Sequence, residues 1–154
     1  MNALLSIKPK YVEAIVGGSK RYEFRKSIFT AKIIEKVYIY STAPVKRIVG
    51  AFGLRRIIED HPKQLWNQLH KFSGLNDAEF FSYFSGAERG FAIEIDSVEE
   101  FENPIDPRDL VPSFVPPQSF CYVDSCILLF LLRERLSISC FTPPSPSFAV
   151  RRVW

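Results

Sequence analysis

The spacing of apolar positions changes twice within the first 26 residues. Residues 4–8, LLSIK, read as a short strand. Pro9 then suits the first turn of a helix, and Tyr11, Val12, Ile15 and Val16 recur at helical spacing. Gly17-Gly18 ends that helix by offering a left-handed cap. From Lys20 the period is two. Lys20, Tyr22, Phe24 and Lys26 would face one way, and Arg21, Glu23 and Arg25 the other. Neither side is uniformly apolar, which predicts a strand that meets solvent or a pocket along part of its length.

Further on, residues 36–42 (KVYIYST) are rich in β-branched and aromatic side chains and predict a strand. Residues 47–60 predict a long strand with Gly50 and Gly53 inside it, as bulges or bends require. Two helices follow. Asp60 is the expected N-cap of the first, which ends at Gly74. Asn76 or Asp77 caps the second, which carries Phe80, Phe81 and Phe84 and stops at Gly86. Residues 89–101 alternate as a strand. Residues 103–120 read as a proline-rich loop whose hydrophobic residues pack on the body. Strands predominate and helices fall in inserts, so the expected class is α+β, a small mixed β-barrel with helical inserts. Residues 1–120 form the expected domain. Residues 121–154 change composition abruptly: they hold every cysteine, no lysine, and a serine/proline stretch of disordered character. Their apolar run at 126–136 is a candidate strand or helix for docking on the barrel.

Charge adds a second pattern. Residues 1–71 hold 14 Lys/Arg against 5 Asp/Glu, and residues 72–120 hold 2 against 10. Two readings follow: a basic face opposite an acidic face that could dock a protein partner, or two halves of one barrel that attract each other. Cys121, Cys126 and Cys140 are odd in number and share no metal spacing with His61 or His70, so neither a disulfide framework nor a zinc site is expected. No cofactor is expected. Reduced thiols and an N-terminus without a long apolar core point to the cytoplasm. The run CILLFLL is too short to span a bilayer.

The stretch GGSKRYEFRK carries the candidate chemistry. Lys20 and Arg25 suit phosphate, and Glu23 suits a base's amino edge or a general-base role. Alternation sets Lys20 and Glu23 on opposite faces unless the first residues still follow the glycine turn or a bulge lies between them. The bland alternative is an internal salt bridge of Glu23 with Arg25 or Lys20 that ties strands together. Phe24 belongs to the core, whereas Tyr22 is a candidate to stack on a base. Ser41 and Thr42 end a strand and could donate hydroxyls, or simply cap a turn. Lys26, Lys46 and Arg47, with Lys8, Lys10, Arg21, Arg55 and Arg56, could form a phosphate-tracking surface.

LLSIKPKYVEAIVGGSKRYEFRK, followed by VYIYSTAPVKRIVGAF and GFAIEI, resembles an ASCH domain of the PUA-like superfamily. The likeness runs from Leu4 to about Phe120, and its key motif is Gly18-x-Lys20-x-x-Glu23-x-Arg25. It implies a β-barrel with a cleft beside the charged strand, and a module that holds RNA or a modified nucleotide there, in RNA processing or gene regulation. The binding residues it implies are Lys20, Tyr22, Glu23, Arg25, Lys26, Ser41, Thr42, Lys46 and Arg47. The alternative it implies is an enzyme, a ribonuclease or an N4-acetylcytidine-type amidohydrolase, with Lys20 and Glu23 catalytic. In that amidohydrolase branch a strand threonine falls on Glu23 here, and the glutamate of the insert falls near Phe72-Ser73.

Overall fold

The computed structural model describes residues 1–30 and 33–123. The expectations for residues 124–154, including the apolar run at 126–136, lie outside them. In chain order the elements are β1 (Asn2–Ile7), α1 (Pro9–Val16), β2 (Tyr22–Arg25), β3 (Val37–Ser41), β4 (Arg47–Asp60), α2 (Pro62–Leu69), α3 (Asp77–Tyr83), β5 (Gly90–Ile105) and β6 (Phe120–Val123). A 3-10 turn at His70–Phe72 extends α2, and another lies at Pro107–Asp109. The six strands form one mixed sheet in the order β2-β5-β4-β3-β1-β6, curved into a half-barrel. Only β1 and β3 pair in parallel.

Curvature comes from irregular pairing. The β4–β5 register shifts three times, between Ile48 and Gly50, Ala51 and Gly53, and Leu54 and Arg56. Bulges of this kind bend a strand and sharpen its twist, so the glycines of β4 sit where the sequence placed them. Alternation along β1 then sorts the core. Ala3, Leu5 and Ile7 pack with Val12 and Ile15 of α1, and with Phe29, Phe52 and Phe120. Leu4 points to the other face, with Tyr38, Tyr40, Ile48 and Cys121, under Phe101, Leu110 and Phe114. The proline-rich loop therefore does cover the body. A third cluster joins Phe24 of β2 to Leu65, Leu69, Phe80 and Phe84 of the helical insert, with Phe24 and Phe80 edge-to-face at 5.0 Å.

Three boundaries differ from the sequence expectation. His61, not Asp60, caps α2: its Nδ1 accepts from the Lys63 amide at 3.2 Å, and Asp60 accepts from the His61 amide. β5 does not stop at residue 101. It continues past Pro104, where Ile105 pairs with Ile48 beyond a bulge, the kind of place that tolerates a residue without an N–H. Strand β6 begins at Phe120, runs across the expected boundary between residues 120 and 121, and pairs antiparallel with β1 from Asn2 to Leu5. The second helix starts as expected, with a reciprocal capping box between Asn76 and Glu79.

The charge asymmetry resolves largely into attraction between the halves. Lys10–Glu79, Lys36–Glu99, Arg47–Asp106 and the Arg55/Arg56–Glu94 set all join a base from the first half to an acid from the second. No helix among the described residues is long and apolar enough to cross a membrane.

Candidate nucleic-acid site

The site begins where α1 ends. Gly18 takes a left-handed φ of 80°, and the Lys20 amide then donates to the Ala14 carbonyl at 2.9 Å. Lys20 thus lies in the turn, one residue clear of the strand that starts at Tyr22. Strand alternation does not reach it, and this is how Lys20 and Glu23 meet. Lys20 Nζ lies 3.4 Å from Glu23 Oε2, and Arg25 Nη2 lies 3.0 Å from Glu23 Oε1. All three side chains are more than nine-tenths buried.

Backbone carbonyls hold the two cations. Lys20 Nζ donates to the Ser73 carbonyl at 2.7 Å. Gly74 beside it has φ 66°, and a Cβ there would stand 2.8 Å from Lys20 Cβ, so only glycine leaves room for the lysine stem. Arg25 donates from Nη2 to the Ser6 carbonyl at 2.9 Å and from Nη1 to the Ser119 carbonyl at 3.2 Å. Ser6 belongs to β1 and Ser119 directly precedes β6, whereas β2 ends the other side of the sheet. The guanidinium therefore spans the open seam of the half-barrel. Both cations are held by their own neighbours, and the internal salt bridge weighed from the sequence is present.

The same cluster nevertheless lines a cavity of about 840 Å³, within the range of ligand sites. Its walls include Lys8 just before α1, Lys10 and Tyr11 from α1, Lys26 and Ser27 after β2, Thr42, Glu79, Ser82 and Tyr83 from α3, and Pro116–Ser119. Charged side chains there are Lys8, Lys10, Lys20, Arg25 and Lys26 against Glu23 and Glu79, an excess of three positive charges. At the buried centre two cations share one carboxylate. Arg25 Nε is buried without a hydrogen-bond partner. Burial depresses the Lys20 pKa below its ordinary value, and the Glu23 carboxylate opposes that shift only in part. Among the described residues no group of three His, Cys, Asp or Glu gathers to hold a metal ion.

Of the residues expected at the site, Lys20, Glu23, Arg25, Lys26 and Thr42 line this cavity, and Tyr22, Ser41, Lys46 and Arg47 do not. Tyr22 packs on the helical insert with Phe24. Ser41 is buried at the end of β3, opposite Arg47. Lys46 sits exposed at a φ of 53°, and Arg47 pairs with Asp106 at 3.2 Å. Thr42 holds the turn through its backbone, accepting from the Val45 amide. His61 and His70 are exposed, engaged with their own helix.

Sequence reasoning missed Glu79, Tyr83 and Tyr11. Glu79 is half of the capping box with Asn76, its Oε2 accepting from the Asn76 amide at 3.3 Å. Its other oxygen pairs with Lys10 across the cavity rim, which no local pattern announces. Ser73 lies where the resemblance put the glutamate of the insert; it supplies a carbonyl to Lys20, and the carboxylate that the insert does bring to the cavity is Glu79. Tyr83 presents a partly exposed ring whose hydroxyl accepts from the Lys26 amide at 3.3 Å, with Lys26 Nζ 5.6 Å from the ring centre.

No protein-family model matches the chain. A protein of Zymomonas mobilis named ASCH domain-containing ribonuclease is 29% identical over 127 residues, which cover 79% of this chain and 83% of that one. The crystal structure of ASCH from Zymomonas mobilis superposes with a TM-score of 0.79 at 27% identity, covering 86% of this chain and 94% of that one. A serine-to-alanine variant of the Zymomonas protein gives a TM-score of 0.80 at 26% identity, with 86% and 95% covered.

Proposed function

Because this chain is an ASCH domain of PUA-like fold, we propose that it binds single-stranded RNA and seats one phosphate over the Lys20–Glu23–Arg25 cluster. The observation that carries this reading is the buried imbalance: two cations to one carboxylate, at the wall of an 840 Å³ cavity. A buried net charge is costly unless compensated, and a ligand's anionic group would compensate it. Charge-assisted bonds from Arg to phosphate are among the stronger ones. Lys8, Lys10 and Lys26 then carry the flanking phosphates. Single strands suit the cavity because their bases are unstacked and can enter it. The name of the Zymomonas relative supports RNA as the ligand.

A second reading, cleavage of the bound strand, draws on that same name and on the juxtaposition of Lys20 with Glu23. Glu23 would take the proton of a ribose 2′-hydroxyl, whose oxygen attacks the adjacent phosphorus. The 5′-oxygen would leave with a proton from solvent, giving a 2′,3′-cyclic phosphate and a 5′-hydroxyl. Lys20 and Arg25 would offset the charge that builds on the phosphoryl oxygens.

Fluorescence anisotropy with a labelled RNA 10-mer tests binding, and a gel of the same mixture tests cleavage. Salt-dependent binding that Lys20→Met weakens about tenfold supports the first reading. Cyclic-phosphate products that vanish in Glu23→Gln support the second. Wild-type protein that retains no RNA at low salt contradicts both.

A further inference from the structure

Two helices contribute different chemistry to the two sides of the cavity. From the N-cap and first turn of α1 come Lys8, Lys10 and Tyr11, a face suited to phosphates. From α3 come Glu79, Ser82 and Tyr83. Glu79 and Tyr83 are four apart and so lie on one helical face. Their environments are also distinct from the buried centre. Glu23 has both oxygens engaged by buried cations. Glu79 is held by the exposed Lys10 and by a long bond from the Asn76 amide, partners that a ligand can replace at small cost.

We propose that the inward face of α3 reads guanine in the bound strand, with Tyr83 stacking on the ring and Glu79 accepting its N1–H and N2–H donors. This inference rests on the RNA-binding reading and names the base that the cavity prefers. Guanine is the base whose Watson–Crick edge sets two N–H donors side by side, which a carboxylate accepts as a pair. Uracil sets carbonyl oxygens on both sides of its single N–H, and those oxygens meet the carboxylate as like charge. Binding exchanges partners at the rim. Lys10 passes from Glu79 to a phosphate, and Glu79 passes from Lys10 to the base. Tyr83 is already oriented for the role, because the Lys26 amide holds its hydroxyl while its ring lines the cavity.

The test compares uridine 10-mers carrying one central G, C, A or U. Wild-type protein is expected to bind the G oligomer about tenfold more tightly than the all-U strand. Glu79→Gln keeps an acceptor for the Asn76 amide but cannot take two donors through one charged group. It is expected to lose the preference for G while binding the all-U strand as well as wild type or better. Tyr83→Ala is expected to weaken every oligomer several-fold, and Tyr83→Phe, which keeps the ring but frees it from the Lys26 amide, to weaken them less. Equal wild-type affinity for all four oligomers, or a preference for G that survives Glu79→Gln, overturns the inference and leaves RNA binding standing. Failure to bind any oligomer overturns the RNA reading together with it.

Discussion

The protein carries two clusters of the same composition, two cations around one glutamate, in different surroundings. Lys20 and Arg25 share Glu23 at the cavity wall, more than nine-tenths buried. Arg55 and Arg56 share Glu94 on the outer face of the β4–β5 pair, and both arginines are about two-thirds exposed. Arg56 and Glu94 are direct cross-strand partners, a common arrangement on a sheet face. Water screens the outer set, and its extra positive charge costs little. The inner set has carbonyls in place of water, so its extra charge must be met by the fold or by a ligand. Composition is the same in both; burial beside a cavity is what makes one of them a candidate site.

Breaking each glutamate should show the contrast most strongly. Glu23→Ala leaves two buried cations without a carboxylate and is expected to cost about 3–5 kcal/mol of stability, measured by urea unfolding. Glu94→Ala is expected to cost about 1 kcal/mol or less. Equal losses would mean that the inner cluster is as hydrated as the outer one. Gly74→Ala should cost about 1–3 kcal/mol, because it forces a side chain into a left-handed conformation against the lysine stem. Gly86→Ala, with the same sign of φ but open space around it, should show the smaller, purely conformational loss.

The pH dependence follows from the depressed Lys20 pKa. Between the folded pKa and the ordinary lysine value of 10.5, the unfolded chain binds the extra proton. Stability arising from this group therefore rises with pH through that window and falls as pH drops through the folded pKa. Relative to Lys20→Met, the wild-type protein should gain stability as pH climbs toward 10.5. A stability difference independent of pH would contradict the burial of a charged lysine. The smallest expected effect is on salt dependence. Lys26→Gln should reduce the slope of log affinity against log salt by about 0.7, as one lost single-strand phosphate contact does, whereas Arg55→Gln should leave it unchanged.

Much of this was legible from the sequence, for identifiable reasons. Richness in β-branched and aromatic residues located β3, a long run with interior glycines located β4, and alternation located most of β5. The double glycine marked the end of α1, and Asn76-Asp77 marked the start of α3. The charged stretch was marked as a site because its residues fit neither core nor surface. Alternation misled at Lys20, since the strand starts two residues later than the pattern implies. It held at Tyr22, which packs with Phe24 on the helical insert, and the stacking role is proposed for Tyr83 instead. The cavity's second carboxylate, Glu79, comes from 59 positions beyond Lys20. Long-range pairings such as Arg25 to Ser119 and Lys10 to Glu79 depend on how the half-barrel closes, and no local window of sequence contains that.

The most direct test of the central claim is RNA affinity by anisotropy for Lys20→Met beside Arg56→Gln, each confirmed to be folded by its melting curve. Seating a phosphate on the buried cluster predicts about a tenfold loss for Lys20→Met and wild-type affinity for Arg56→Gln. Equal losses in the two variants would mean that RNA senses only overall charge, and the buried cluster would then be a strap that closes the half-barrel and nothing more.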